Sequence, residues 1–413
     1  MNGEAMVNVS EFFSDELKYY RQSDVRELLK VTESKKVISF GGGLPDFSMF
    51  PFKEAMRVLE DSLMINFQKA MQYAPTKGIS QLIDALRDLM KIELGVEGRE
   101  YDDMIILTGS QQGLDLVARA LINPGDIIIV EKPTYLAALN SFRPRKPVIY
   151  GVSQDSDGMN TNELEILLRE LNSQGKRVKF LYTVPSNHNP AGTTLSEERR
   201  KHLYELSIQY DFLIFEDDPY NLIMFEDKPV KPIKSLDQSG RVIYMSTLSK
   251  ILSPGLRIGW IMADKRLVEA IELIKQVADL HTSTLSQFIA IEWIKRKIYK
   301  DFLSSSIPVY RKKRDTMLAM LEENFSSEGS WTKPKGGLFL LLTLNGQVNT
   351  RDLLKVAMKR GVVFVPGEAF YHDGSGKNTM RLNFSYPTEK EIVTGMRILK
   401  EAYLEFIHSG FTH

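Results

Sequence analysis

The segment 246–260 holds the residues whose types and spacing most directly imply chemistry. Lys250 and Arg257 stand seven residues apart around a Pro-Gly turn, and the hydroxyls of Thr247 and Ser249 flank the start of the segment. A lysine that forms a Schiff base must be held in place and partly unprotonated, because only the neutral amine attacks a carbonyl. A neighbouring guanidinium can bind two phosphate oxygens, and its charge disfavours a second cation on the lysine. The pattern predicts a covalently held, phosphorylated cofactor, although a lone Ser-Lys pair is more often a surface turn.

Four short motifs elsewhere in the chain extend this pattern. In chain order they are Gly109-Ser110-Gln111-Gln112-Gly113, Lys132-Pro133-Thr134-Tyr135, Asn189-Pro190-Ala191-Gly192 and Asp217-Asp218-Pro219-Tyr220. Each motif alone is also expected of an ordinary turn or loop. In this order, and together with the lysine segment, they resemble the pyridoxal-phosphate-dependent aminotransferases of fold type I, class I/II, and within them the kynurenine/2-aminoadipate (multi-substrate) group. The resemblance runs from about Ser23 to about Tyr386.

The resemblance implies pyridoxal 5′-phosphate as the cofactor, with Lys250, Asp217 and Tyr220 as catalytic residues. A carboxylate buried at a strand end, here Asp217 rather than Asp218, would keep the pyridine nitrogen protonated and make the ring an electron sink. Tyr220 would hydrogen-bond the phenolic oxygen of the ring. Asn189, a neutral donor beside the same oxygen, would lower the pKa of the Schiff base without adding a charge. For the isolated aspartate motif, a helix cap or an Asx turn before proline is the alternative.

The phosphate and the ring face of the cofactor have candidate partners as well. Ser110 and Gln111 stand between a predicted strand and a predicted helix, where backbone N–H groups bind phosphate, and both match phosphate contacts of the family. Tyr135 matches the aromatic residue that stacks on the ring. A plain turn and a core tyrosine are the alternatives. The predicted cofactor-binding residues are Ser110, Gln111, Tyr135, Asn189, Asp217, Tyr220, Thr247, Ser249, Lys250 and Arg257.

Further residues are candidates for binding the substrate. Arg381 lies in an apolar run where an unpaired guanidinium would be costly, and it matches the family arginine that binds the α-carboxylate; a structural ion pair is the alternative. Gly43 matches a substrate loop, and Tyr73 matches a tyrosine that reaches the active site of the other subunit, which implies a homodimer. Ser23 and Arg26 match positions used against acidic side chains. Asn189 and Tyr135 are predicted to contact the substrate too.

Composition limits the class of protein. The chain has 413 residues, 43% of them hydrophobic and 26% charged, with 53 basic and 53 acidic side chains. The chain has no excess of basic residues, so a nucleic-acid partner is not predicted. No apolar run approaches the ~20 residues that span a bilayer. The absence of cysteine excludes disulfides and thiolate chemistry, and the histidines show no metal-ligand spacing. We therefore predict a cytoplasmic protein without a metal.

Strand-like runs alternate with helical patterns from about residue 104 to 280, which predicts an α/β fold with a largely parallel sheet. This agrees with fold type I, a large domain with a mostly parallel central sheet and a smaller α+β domain. We predict an N-terminal arm with part of the small domain at 1–55, a large cofactor-binding domain at 56–300 and a small domain at 301–413. A helix from about residue 301 would connect the two. The chemical residues are expected at the carboxyl ends of the strands.

The predicted function is transfer of an amino group from an L-amino acid to a 2-oxo acid such as 2-oxoglutarate. The predicted donors are glutamate, 2-aminoadipate, aromatic and other large amino acids. A β-lyase or another reaction at Cα is an alternative that the same lysine and aspartate could serve. A transcription regulator with an aminotransferase-like domain is a remote alternative, because too few residues precede Gly41 for a winged helix.

Overall fold

The computed structural model describes residues 7–20, 37–226 and 228–409. The predicted substrate residues Ser23 and Arg26 lie outside the described residues. Helices in the described ranges are α1 (Phe52–Ala70), α2 (Ser80–Leu94), α3 (Ser110–Leu121), α4 (Leu136–Phe142), α5 (Thr161–Ser173), α6 (Glu197–Gln209), α7 (Lys265–Asp279), α8 (Thr284–Lys295), α9 (Ile298–Phe325), α10 (Thr350–Lys359) and α11 (Glu389–His408).

The strands of the described residues form three sheets. They are β1 (Ile38–Ser39), β2 (Asp102–Thr108), β3 (Ile127–Lys132), β4 (Val148–Asp155), β5 (Gly158–Met159), β6 (Val178–Thr183), β7 (Leu213–Asp217), β8 (Val242–Thr247), β9 (Ile258–Asp264), β10 (Gly329–Trp331), β11 (Phe339–Leu344), β12 (Val362–Val363), β13 (Val365–Pro366) and β14 (Thr379–Asn383).

The large sheet has the strand order β2-β9-β8-β7-β6-β3-β4-β5. The central pairs β8/β7, β7/β6, β6/β3 and β3/β4 are parallel, whereas β9 runs antiparallel to both of its neighbours. The predicted fold class, with its mostly parallel central sheet, is therefore confirmed. The carboxyl ends of β2, β3, β6, β7 and β8 meet at one edge, and the amino end of β9 lies there too.

Helices cover both faces of this sheet because its strands are apolar on both sides. Ile127 and Ile129 of β3 pack into an apolar cluster with Leu164 of α5 and Leu203 of α6. The alternate side chains of β3 point into a larger cluster on the other face, which includes residues of α3. Burial on both faces is typical of parallel strands connected by helices.

A smaller antiparallel sheet, β10-β11-β14-β13, follows the long helix α9. Strand β1 pairs in parallel with β12, so the N-terminal segment joins this part of the molecule. Helix α11 begins with a capping box, in which Thr388 and Glu391 each accept a hydrogen bond from the other's backbone N–H. The domain bounds predicted from the sequence remain a prediction. In the described ranges, no helix combines the length and apolarity needed to cross a membrane.

Candidate active site

A cavity of about 490 Å³ lies at the edge where the parallel strands end. Its walls contain all ten predicted cofactor-binding residues. The lining residues are Ser110, Gln111, Tyr135, Val184, Asn189, Asp217, Pro219, Tyr220, Thr247, Ser249, Lys250, Pro254, Gly255 and Arg257. Arg257 is the exception to the expected placement, since it precedes β9. It reaches the same edge because β9 is antiparallel to β8.

Lys250 follows β8 and presents its amine to the cavity. Lys250 Nζ donates a hydrogen bond of 2.7 Å to the carbonyl oxygen of Gly43. Burial lowers the pKa of the Lys250 amine to about 8, and the positive charges of Arg381 and Arg257 act in the same direction. About a tenth of this amine is therefore neutral at pH 7, far more than for a lysine with its ordinary pKa of 10.5, and the neutral form is the one that a nucleophilic lysine requires.

Asp217 is the last residue of β7 and is 2% exposed. Its Oδ2 accepts a hydrogen bond of 2.8 Å from the hydroxyl of Tyr182, and its buried Oδ1 has no hydrogen-bond partner among the described residues. Burial raises the pKa of the Asp217 carboxyl to about 7, and the hydrogen bond from Tyr182 opposes this rise. A buried acceptor without a partner on a cavity wall fits a ligand that brings a hydrogen-bond donor.

Asn189 connects Tyr220, on the cavity wall, to the buried Arg381, which does not line the cavity. Asn189 Nδ2 donates to the hydroxyl of Tyr220 at 3.4 Å, and Arg381 Nη1 donates to Asn189 Oδ1 at 2.8 Å. Arg381 lies in β14, with Nη2 donating to Gly41 O at 2.7 Å and the guanidinium carbon 4.2 Å from the centre of the Phe339 ring. Burial lowers the pKa of Arg381 to about 10 and raises the pKa of Tyr220 well above its ordinary value.

The start of α3 and the β8–β9 turn form a cavity wall rich in hydrogen-bond donors, which we name the anion-binding wall after the ligand chemistry that such donors suit. Gly109 (φ 78°) precedes α3, and a Cβ atom on it would lie 2.2 Å from Arg257 Nη2. A Cβ atom on Gly259 would lie 2.6 Å from the backbone nitrogen of Ser110. Both glycines are needed because backbone and guanidinium approach closely here. The hydroxyls of Thr247 and Ser249 lie 2.9 Å apart beside this wall, and Gln111 Nε2 donates to Ser141 Oγ at 3.2 Å.

Two predicted residues have different surroundings. Tyr73 does not line this cavity; it is 78% exposed, and its ring packs edge-on to that of His281 with centroids 5.7 Å apart. Gly43 is half-buried and contributes the carbonyl that binds Lys250. Within the described residues, no group of three or more His, Asp or Glu side chains is arranged to hold a metal ion.

Sequence reasoning missed Tyr182 and Phe339. Tyr182 lies within an apolar run and is fully buried, so the sequence indicates only a core tyrosine. Phe339 begins β11 and contacts Arg381 from 42 positions earlier in the chain, a proximity with no local signal. The positions of both follow from strand pairing: β6 lies beside β7, and β11 beside β14.

The donor set fits a phosphorylated pyridine aldehyde. Backbone N–H groups at the start of α3, two hydroxyls and a guanidinium suit the phosphate. The free Oδ1 of Asp217 suits a protonated ring nitrogen, and Lys250 suits an aldehyde.

Comparison with known proteins identifies the family. Residues 35–398 match the model of aminotransferase class I and II, and the chain belongs to this family. The aromatic-amino-acid aminotransferase 1 of Thermococcus litoralis is 44% identical over 97% of this chain and 95% of its own length.

Solved structures agree with this assignment. The multiple substrate aminotransferase of Thermococcus profundus superimposes with a TM-score of 0.93 at 42% identity, covering 98% of this chain and all of that one. The Pyrococcus horikoshii kynurenine aminotransferase, solved with pyridoxamine phosphate and kynurenine, gives a TM-score of 0.92 at 44% identity, over 96% and 98% of the two chains. The protein is thus a pyridoxal-phosphate-dependent aminotransferase that acts on amino acids and 2-oxo acids, which confirms the predicted class of enzyme and its cofactor.

Proposed function

We propose that this aminotransferase takes amino groups from large L-amino acids, aromatic donors and 2-aminoadipate among them, as well as from glutamate, and passes them to 2-oxo acids such as 2-oxoglutarate. The observation that carries the proposal is the cavity lined by Lys250, Asp217 and Asn189, together with the buried Arg381 that donates a hydrogen bond to Asn189. The similarity to an aromatic-amino-acid and a kynurenine aminotransferase supports large donors.

In this proposal the polar residues divide into two groups. When bound, pyridoxal phosphate supplies a carbonyl for the lysine and a ring that withdraws electrons from Cα. Asp217 would hold the ring nitrogen, Tyr220 and Asn189 would hold the phenolic oxygen, and Tyr135 would pack against the ring. The residues of the anion-binding wall would hold the phosphate; the resemblance assigns this role to Ser110, Gln111, Thr247, Ser249 and Arg257.

Arg381 and Lys250 act on the substrate. The Arg381 guanidinium binds the α-carboxylate, and its Nε has no hydrogen-bond partner among the described residues, so a donor is available. Once free of the cofactor, Lys250 would take up and return the proton at the substrate Cα. A pKa near 8 suits this work, because a general acid and base is most effective when its pKa lies near the operating pH. Gly43 contributes the carbonyl that accepts a hydrogen bond from Lys250, and Ser23 and Arg26 are proposed to bind acidic side chains of the substrate.

We also propose a homodimer in which Tyr73 enters the active site of the partner. Large apolar side chains near Tyr73 are exposed, and an exposed apolar patch is typical of an interface. They include Met64 (83% exposed), Ile65 (79%), Phe67 (58%) and Met71 (55%). The cytoplasmic location remains a prediction from the sequence alone.

Absorption spectra of the purified protein test this function. With pyridoxal phosphate bound, L-amino acids are added one at a time, and the visible band of the lysine-bound cofactor is followed. We expect conversion to the pyridoxamine form with aromatic donors, 2-aminoadipate and glutamate. Lys250→Ala should bind the cofactor without turning over, and Arg26→Ala should lose activity on acidic donors only. Release of pyruvate and ammonia from a β-substituted amino acid, without conversion by the panel, would instead indicate a β-lyase.

A further inference from the structure

A buried carboxylate and a buried imidazole lie directly behind the loop that carries Asn189. Glu131, near the end of β3, and His188 have side chains that are 2% and 1% exposed, and Glu131 Oε2 lies 2.9 Å from His188 Nε2. Glu131 also accepts hydrogen bonds from Thr183 Oγ1 at 2.8 Å and from the backbone N–H of Val184 at 2.9 Å. One carboxylate thus connects the ends of β3 and β6 to the residue before Asn189.

The hydrogen bonds define which imidazole nitrogen carries the proton. The backbone N–H of Ala191 donates to His188 Nδ1 at 3.2 Å, so this nitrogen is the acceptor. Nε2 is then the N–H donor and points to Glu131. Gln154 Nε2 lies 3.2 Å from His188 Nε2 and donates a hydrogen bond to Pro133 O at 2.7 Å. The imidazole bridges the loop backbone and a buried carboxylate.

Burial of the Glu131 carboxylate costs free energy unless its hydrogen bonds are all made. Burying a carboxylate removes it from water, and the three donors recover that loss only while all of them stay in place. His188 is the one donor of the three that belongs to the loop; Thr183 and Val184 belong to the end of β6 and the residue after it. Displacement of the loop would therefore leave the carboxylate without the His188 donor. The free-energy cost of losing that hydrogen bond opposes the displacement.

This restraint on the loop fixes the position of the Asn189 side-chain amide. Its amide has to meet the hydroxyl of Tyr220 and the guanidinium of Arg381 at the same time, at 3.4 and 2.8 Å. The residue before it is held by Glu131, and the N–H two positions after it is held by the His188 ring. The loop is thus restrained on both sides of Asn189.

We propose that His188 is a positioning residue whose tether to Glu131 fixes the Asn189 amide for the cofactor's phenolic oxygen. The inference rests on the proposed role of Asn189 and adds a residue that acts through it. His188 itself does not line the cavity.

Two substitutions of His188 separate its two hydrogen bonds. In His188→Asn, the amide oxygen takes the place of Nδ1 and can still accept from Ala191, but the side chain is too short to reach Glu131. In His188→Gln, the amide nitrogen can still donate to Glu131, while the N–H of Ala191 loses its acceptor. His202→Asn is the matched control, because His202 lies on α6 and its Nδ1 contacts Thr161 Oγ1 at 2.9 Å, away from the cavity.

The main measurement is a pH titration of the visible absorbance of the lysine-bound cofactor, without any amino acid substrate. Loss of the Asn189 donor in Asn189→Ala should move the titration midpoint upward, because the donor lowers the pKa of the Schiff base. We expect His188→Asn to move it in the same direction by roughly half a pH unit, less than Asn189→Ala does. His188→Gln and His202→Asn should stay near wild type. The double variant His188→Asn/Asn189→Ala should match Asn189→Ala, because both changes act through one group.

A measurement on the protein without cofactor gives an independent readout. Nitrogen chemical shifts of ¹⁵N-labelled histidine should show His188 as the Nε2–H tautomer in the wild-type protein. Thermal unfolding of each variant establishes that the fold is retained.

The outcomes are distinct. A His188→Asn midpoint equal to that of wild type, an equal shift in His188→Gln, full additivity in the double variant, or the Nδ1–H tautomer would each overturn the tether. If Asn189→Ala leaves the midpoint unchanged, the role proposed for Asn189 fails and the tether fails with it. If the wild-type protein forms no visible band with pyridoxal phosphate, the proposed function itself fails.

Discussion

At the scale of single residues, the pKa of the Lys250 amine is set by its neighbours. Lys250 shares the cavity region with two guanidinium groups, and burial together with their charge lowers the pKa of its amine from the ordinary 10.5 to about 8. Burial is the larger cause, and Arg381 contributes more than Arg257. In the proposed function Arg381 also binds the substrate carboxylate, so one guanidinium would serve both the nucleophile and the substrate.

This gives a prediction about pH. The rate at which the cofactor-free protein captures pyridoxal phosphate should rise with pH and reach half of its maximum near pH 8, because only the neutral amine reacts. In Arg381→Met the midpoint should move upward, since one like charge is gone, but should stay below 10.5 because burial remains. Arg360→Met, at a surface residue that pairs with Glu401 and Glu405, is the control. An unchanged midpoint in Arg381→Met would show that the charge of Arg381 does not lower the pKa of Lys250.

A second prediction concerns the hydroxyl behind Asp217. Tyr182→Phe removes one hydrogen bond to the carboxylate without leaving a cavity, so the pKa of Asp217 should rise further. A hydrogen bond to a charged group contributes about 1.5–3 kcal/mol, so we expect kcat/KM to fall about 10-fold or more. Tyr244→Phe is a matched control on the adjoining strand β8, because the Tyr244 hydroxyl contacts Asp218 at 3.2 Å and Asp218 does not line the cavity. Equal losses in the two variants would point to a general effect on the core.

At the scale of elements, the anion-binding wall depends on close approach at the β2–α3 junction. Gly109→Ala would place a Cβ atom 2.2 Å from Arg257 Nη2, whereas Gly125→Ala, also at positive φ, meets no atom within 4 Å. Both substitutions should cost about 1 kcal/mol of stability from backbone strain. Only Gly109→Ala should weaken pyridoxal phosphate binding, by about tenfold or more, in equilibrium titrations. Equal affinities in the two variants would exclude a role for this packing.

The sequence predicted most of these elements because their patterns are local. The buried strands β3, β6, β7 and β8 are apolar runs within the range 104–280, where the sequence predicts alternating strands and helices. β4 lies in the same range but has no such run, since its half-buried residues mix polar and apolar side chains without a clear period. The direction of β9 and the contact between Lys250 and Gly43 arise from pairing across the chain, which no local pattern encodes. Family motifs located the cavity residues, whereas the supporting Tyr182 and Glu131 resembled ordinary core.

At the scale of the whole molecule, the proposed dimer makes the site depend on two chains. Tyr73 is exposed and its ring contacts His281, while the cavity that holds Lys250 is lined by other residues. An exposed apolar surface on α1 beside it agrees with a face that a second copy covers. We expect the purified protein to elute as a dimer with a mass near twice 47.1 kDa in light scattering.

Complementation tests whether Tyr73 acts in the partner's site. Tyr73→Ala and Lys250→Ala homodimers should each be nearly inactive. Mixed dimers formed by co-expression should recover activity, because the site that contains Lys250 would receive Tyr73 from the Lys250→Ala chain. With random pairing about half of the dimers are mixed and each has one complete site, so about a quarter of wild-type activity is expected. Tyr73→Ala co-expressed with a Lys250→Ala/Tyr73→Ala chain is the control and should stay inactive. If the first mixture also stays inactive while dimers form, Tyr73 serves its own chain, and the shared site is wrong.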